Sequence, residues 1–226
     1  CTPDYWAHQY DQQANQVLCT PDPRQWTNNG KMSNVFGLEP NYSCCTANQH
    51  QGWPKFAANL WMATPDNGLA AVAYGPCEVM GKVKSPLGPR HQATVMGVWI
   101  EVETDYPFDE AVKVIVHPDQ EGEFPLWFRI PAWADGPTLK VNGKAAKVEA
   151  GEFRTVKRGW KDGDVVELNF PMKVETERRC HDSVTVKRGP LVYSLKIGEK
   201  WEKISDHPVC PDWAVHPTTP WNYGLV

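Results

Sequence analysis

The sequence carries little net charge, has no long apolar run, and lacks several familiar catalytic signatures. Each absence closes off a class of function. A formal net charge of −4 and a pI near 6.0 leave no electrostatic footprint for nucleic acid, and no Lys/Arg cluster is interleaved with aromatics. No apolar stretch approaches the roughly 20 residues needed to span a bilayer, so the expected partners include neither nucleic acid nor membrane. There is no GxSxG elbow, Gly-rich phosphate loop, HExxH helix or CxxC pair. Internal repeats and low-complexity tracts are absent too. The chain starts Cys1-Thr-Pro-Asp4, with neither an initiator methionine nor a charged-then-apolar leader, and is expected to be cut from something longer.

What is present suits a turn-rich β protein. Among 226 residues there are 20 prolines and 17 glycines beside a modest charged fraction. Eleven tryptophans are many for this length. They can anchor a β core or stack sugar rings, and the core is the simpler assignment. Seven cysteines (Cys1, Cys19, Cys44, Cys45, Cys77, Cys180 and Cys210) form an odd, irregularly spaced set. A secreted disulfide framework favours an even set at tight spacing, so a reducing, cytoplasmic compartment is expected.

Up to Asn41 the chain is polar and irregular, broken by Thr20-Pro-Asp-Pro23 and Asn28-Asn-Gly30. Pro54 suits the first turn of a helix. Phe56, Ala57, Leu60 and Trp61 then recur at helical spacing and predict a buried stripe. Thr64-Pro-Asp-Asn-Gly68 ends that helix and marks the expected domain boundary, with 1–63 on one side and 64–226 on the other. From Leu69 the period changes to short β-branched and aromatic runs, at 69–74, 93–104, 112–116, 126–130, 139–141, 153–156, 165–170, 184–186 and 191–195. Val141-Asn-Gly-Lys144 and Lys161-Asp-Gly-Asp164 are turn signals between them. Many short strands without intervening helices predict a mainly β chain built as an antiparallel β-sandwich. The stretch after Asp212 is expected to drape over a surface.

The chemistry centres on Asn41-Tyr-Ser-Cys-Cys-Thr-Ala-Asn-Gln-His-Gln-Gly-Trp-Pro-Lys-Phe56. Adjacent cysteines rarely bridge each other, because disulfide geometry wants Cα atoms farther apart and differently aimed. Cys44 and Cys45 therefore read as two thiolates converging on a soft metal from an irregular loop over 42–49, one of them nucleophilic. A zinc site would need two more ligands, for which His50, His8, Glu39, Cys19 and Cys1 are candidates, none at a recognised spacing. The competing reading is a pair of small, buried, inert thiols. His50 and Trp53 can line a sugar pocket, which makes His50 a candidate substrate-binding residue. Alternatively His50 bonds locally while Trp53 packs under the helix. Glu101, Glu103, Asp109 and Glu110 read as a solvated surface, not a glycosidase carboxylate pair.

That loop closely resembles the cysteine loop of β-L-arabinofuranosidase-type enzymes, glycoside hydrolase family 127 and its relatives. Further similar segments are Tyr10-Asp-Gln-Gln-Ala-Asn-Gln-Val-Leu18, Phe128-Arg-Ile-Pro-Ala-Trp133, Trp160-Lys-Asp-Gly-Asp164, Arg188-Gly-Pro-Leu-Val-Tyr193 and Pro220-Trp-Asn-Tyr223. The resemblance implies an (α/α)6 catalytic barrel followed by β-sandwich domains. It makes 1–63 the last helical segment of a truncated barrel and the whole chain a C-terminal portion. It also implies a Zn2+ ion held by one glutamate and three cysteines, with Cys44 as nucleophile and ligand and Cys45 as ligand. A separate glutamate would act as acid and base on a glycan substrate with retention of configuration. In such enzymes the remaining ligands and that glutamate lie upstream of the loop. Only 43 residues precede Cys44 here, with Glu39 their sole glutamate. The chain alone is thus expected neither to hold zinc tightly nor to hydrolyse glycosides. A second reading is a non-catalytic β-sandwich unit that braces the barrel or binds glycan, in which case Trp127, Trp133, Trp160 or Trp201 should face solvent in an aligned row.

Overall fold

A computed structural model describes residues 2–4, 6–10, 17–25, 29–38, 43–85 and 94–225. Helix α1 spans Ser43–Gln49 and α2 spans Gly52–Ala58. The strands then follow as β1 (Trp61–Ala63), β2 (Leu69–Ala71), β3 (Cys77–Ser85), β4 (Thr94–Glu103), β5 (Ala111–Pro118), β6 (Gly122–Arg129), β7 (Thr138–Val141) and β8 (Lys144–Ala146). After them come β9 (Phe153–Trp160), β10 (Asp164–Asn169), β11 (Val174–Arg178), β12 (Val184–Arg188), β13 (Leu191–Tyr193), β14 (Glu199–Lys203) and β15 (Trp213–Pro217). Packing divides the chain into two compact units: Cys1–Pro54 with Ser194–Val226, and Lys55–Tyr193. These units cut the chain elsewhere than the boundary read at residue 63, and α2 contains the first cut.

In the unit Lys55–Tyr193 a four-stranded sheet, β1-β2-β6-β9, and a six-stranded sheet, β3-β4-β5-β10-β7-β8, share one core. Alternation decides which side chains enter it. On β6, Phe124, Leu126 and Phe128 point inward and are fully buried; on β4, Val98, Ile100 and Val102 do the same. Each such side chain contributes roughly 1.5–3 kcal/mol of burial free energy. The sandwich is not purely antiparallel as expected: β2 pairs β6 in parallel, Ala70 opposite Trp127, while the remaining ladders are antiparallel. Asn142 (φ 48°) and Gly143 (φ 75°) turn the β7–β8 hairpin in the left-handed conformation that the Asn-Gly signal predicts. A third sheet, β11-β12-β13, completes this unit.

The helix read through Trp61 is shorter than its periodicity suggests. It ends at Ala58 and has no buried residue, whereas Trp61 opens β1 opposite Ala71 and packs edge-on against Phe128 at 6.2 Å. A seven-residue helix is marginal by itself, and residues 61–63 gain ladder bonds and burial by joining the sheet instead.

In the other unit, β15 is paired on both edges. It forms a hairpin with β14, while Cys19 and Val215 exchange backbone bonds of 2.8 and 2.7 Å and Phe36 and Trp213 exchange bonds of 3.0 and 2.7 Å. Ala214 and Val215 are buried, and Phe36 and Trp213 both pack on Trp201. The stretch after Asp212 is therefore a structural strand at its start, not a surface drape. The four tryptophans proposed as an aligned row do not form one. Trp160 is fully buried, Trp133 is half-buried and stacked on Tyr106, Trp127 is half-buried, and Trp201 belongs to the other unit.

Candidate functional site

The cysteine doublet lies in a helix, not in the irregular loop expected over 42–49. Cys44 and Cys45 sit at the start of α1. The helix is closed at its other end by Asn48. Its Nδ2 donates to the Cys44 carbonyl at 2.6 Å, and its Oδ1 accepts from Gln51 Nε2 at 2.9 Å. These bonds hold the short turn that carries both thiols.

Both cysteines are free. Cys44 is exposed and Cys45 half-buried, so two buried, inert thiols is not a description of this pair. Their sulfurs stand 3.8 Å apart. Two sulfurs each about 2.3 Å from one zinc at a tetrahedral angle would lie about 3.8 Å apart. The spacing of the doublet thus fits two corners of a tetrahedral thiolate site. Partial burial pushes the Cys45 thiol above its ordinary range, a hydrogen bond from Tyr10 opposes this, and the neighbouring Cys44 adds to it.

The other candidates among the described residues do not complete a metal site. Among the described residues, no group of three or more His, Cys, Asp or Glu side chains is placed to hold a metal ion. Cys19 is buried in its bridge to Val215. Glu39 and Cys1 lie outside the described residues. His50 follows the last residue of α1 and is exposed; at five to six residues from the doublet, a turn of about 3.6 residues sets it on another face. Trp53 is 72% exposed, so it does not pack under α2. Asn48 and Tyr10 are the residues that sequence reasoning passed over. Asn48 was legible as the position four residues beyond Cys44, on the same helix face; the Tyr10 contact spans 35 residues and had no local signal. The acids of the β region are structural or solvated: Glu103 pairs with Lys113 at 2.8 Å, and Glu110 accepts from Arg188 and the Met172 backbone.

The model of the β-L-arabinofuranosidase GH127 middle domain matches residues 82–172. This stretch, under half of the chain, is similar to that middle domain. It runs from within β3 to just beyond β10, so it comprises most of the sandwich, and the doublet lies outside it. Solved structures extend the likeness across the chain. A GH127 β-L-arabinofuranosidase from Geobacillus stearothermophilus T6 aligns with a TM-score of 0.61 and 21% identity over 90% of this chain and 38% of its own. A protein described as a glycoside hydrolase aligns with a TM-score of 0.63 and 22% identity over 94% of this chain and 42% of its own. The GH127 β-arabinofuranosidase BT3674 aligns with a TM-score of 0.54 and 18% identity over 81% and 37%. At these identities the likeness is one of fold. The chain spans about two fifths of the length of these structures. No curated protein matches it.

Proposed function

We propose that the chain is the C-terminal portion of a retaining glycoside hydrolase of the GH127 type, acting on L-arabinofuranosides or related plant glycans. The observation that carries this reading is the match of residues 82–172 to the GH127 middle-domain model, in a chain whose fold aligns with a GH127 β-L-arabinofuranosidase over 90% of its length. In this reading the residues before the sandwich are the last helical segment of an (α/α)6 barrel.

Cys44 is the nucleophile of this proposal. Its sulfur forms a bond to the anomeric carbon as the glycosidic C–O bond breaks. The departing oxygen takes a proton from a carboxylic acid supplied from outside this chain. Water, deprotonated by the same carboxylate, then displaces the sulfur, and two inversions give net retention. Exposure of Cys44 supports the role, since a nucleophile must be reached. Cys44 and Cys45 would hold a zinc ion together with ligands from the rest of the parent, and such an ion keeps thiols deprotonated near neutral pH. Asn48 fixes the backbone that carries Cys44, and Tyr10 orients Cys45. The test compares the full-length parent with its Cys44→Ser variant on a chromogenic β-L-arabinofuranoside. Turnover lost with the fold intact is the expected result; unchanged turnover removes Cys44 from the chemistry.

A further inference from the structure

The outer face of the four-stranded sheet carries a surface that the doublet chemistry does not use. Register places Trp127 of β6 directly opposite Thr155 of β9, and Arg129 opposite Phe153. Trp127 and Phe153 therefore lie diagonally on one face, at positions about 7–8 Å apart. Between them is an open groove of about 410 Å³, lined by Thr64, Pro65, Asp66, Ala70, Trp127 and Phe153. Its aromatic wall is held in place before any ligand arrives. The Trp127 indole N–H donates to Asp66 Oδ2 at 3.1 Å, and Thr64 Oγ1 donates to the other carboxylate oxygen. The turn bearing Asp66 is fixed in turn: Thr64 N–H bonds Gly68 O at 3.0 Å, and Gly68 approaches the Pro125 carbonyl so closely that a Cβ would meet it at 2.1 Å.

Phe153, 45% exposed, also borders a second groove of about 360 Å³ whose lining includes Lys147, Glu149, Glu152 and Arg154 beside Ile130 and Val148. The two grooves share this ring, so an apolar aromatic platform passes directly into a rim of charged hydrogen-bonding groups. The rim mixes both signs, with Lys147 and Glu149 paired at 2.6 Å, which selects against a polyanion or a polycation. An apolar protein surface laid across both grooves would strip water from the charged side chains of Lys147, Glu149 and Glu152 and return nothing to them. A neutral sugar satisfies both halves. Its C–H faces lie on the aromatic rings, and its hydroxyls, each both donor and acceptor, meet carboxylates and cationic N–H groups.

We infer that the outer face of the β1-β2-β6-β9 sheet is a non-catalytic glycan-binding surface, with Trp127 and Phe153 stacking successive sugar rings and Glu149, Glu152 and Lys147 meeting their hydroxyls. The inference rests on the proposed hydrolase reading only for the choice of arabinose-based sugars as first ligands.

The test is calorimetric and fluorescence titration of the 226-residue chain with arabino-oligosaccharides, and in parallel with xylo- and cello-oligosaccharides. At least one series should bind and perturb tryptophan emission. Phe153→Ala and Trp127→Ala should each weaken that binding by about tenfold or more, while Trp221→Ala, at an exposed position in the other unit, should not. Thermal melting checks each variant, and Phe153→Ala, at an exposed site, keeps the test decisive if Trp127→Ala is destabilised. The inference is overturned if no series binds at millimolar sugar, or if binding survives both substitutions. It is equally overturned if both substitutions abolish self-association of the chain while sugars remain inert, since the face is then an interface between polypeptides. A parent that still turns over the chromogenic substrate with both variants would leave the hydrolase reading standing whatever the titration shows.

Discussion

Zinc added to this chain should bind, weakly, and through the doublet. Structural sites with four protein ligands hold zinc with about 10–16 kcal/mol at neutral pH. Cys44 and Cys45 supply two corners with the right 3.8 Å spacing, and the described residues supply no further cluster. Half the ligand set retaining about half of that free energy corresponds to a Kd of about 1–200 µM. Competition against a chromogenic zinc indicator, with reductant present, measures it directly. Cys44→Ser and Cys45→Ser should each weaken binding by at least about tenfold. The affinity should rise with pH above neutrality: Cys45 is held above its ordinary range and must lose its proton to ligate, so protons compete more strongly as pH falls. A nanomolar Kd would show that the chain contains a complete site and refute the claim that ligands are missing. A micromolar Kd untouched by both substitutions would place the metal elsewhere and rule the doublet out as its ligands.

Other outcomes follow from the sandwich. Trp160 is fully buried, with its indole N–H donating to the Phe124 carbonyl at 3.0 Å; Trp160→Ala should cost about 3–5 kcal/mol and Trp160→Phe about 1–3 kcal/mol, read by chemical denaturation. Asn142→Ala removes the bond donated to Asp164 Oδ1 at 2.7 Å and the one accepted from Val165 N–H at 2.8 Å, and leaves a positive φ to alanine; a loss of about 2–3 kcal/mol is expected in the same assay. Burial drives the Tyr74 hydroxyl far above the ordinary tyrosine range, and Tyr106 is raised for the same reason. Both folded-state values lie above the unfolded value, so their stabilisation is complete below about pH 10 and falls as pH rises beyond it. Phenolate absorbance should then show Tyr74 ionising only as the near-UV circular dichroism of the fold is lost. Tyr74 titrating in the intact fold would refute its assigned burial.

The sheets were legible where two local signals agreed. Runs such as Val112–Val116 and Val165–Phe170 alternate, and the Asn-Gly at 142–143 and Asp-Gly at 162–163 separate them, so β5, β7 and β10 stand where the pattern set them. Strands were missed where a residue with a tertiary role looked like a break. Gly81 interrupts β3 in the sequence, yet its missing Cβ is what admits Leu69, whose side chain would lie 2.8 Å from one. Trp61 belongs to a helical period but finds its partner in Phe128, which lies 67 residues away and is invisible to any local window. His216 and Pro217 made the final stretch look like a loop, whereas the ladder bonds from β14 and from Cys19 make it a strand. The doublet misled in the opposite direction: two adjacent thiols aimed at one metal suggested an irregular loop over 42–49, and the modest helix propensity of Cys, Thr and Asn gave no signal against it. The Asn48 side chain adds bonds to this turn that propensity does not count.

The Asn48 bonds also shape how the doublet would work. The sandwich carries its own closed core, so its stability asks nothing of the cysteines. The helix that presents them is different in kind. It has seven residues, too few for independent stability in water, and the described side chains after the doublet are exposed. Among the bonds that order it are those of Asn48 to the Cys44 carbonyl and of Tyr10 to the Cys45 thiol. A metal gripped by both sulfurs would hold the same turn, so part of its binding free energy would go into ordering α1 and would not appear as affinity. Asn48→Ala separates these contributions. It touches no sulfur, yet it should weaken zinc binding by several-fold, because the metal must then order the turn that Asn48 no longer holds. Zinc affinity equal to that of the unsubstituted chain would mean that α1 is ordered without this bond, and that Asn48 has no part in presenting the thiols.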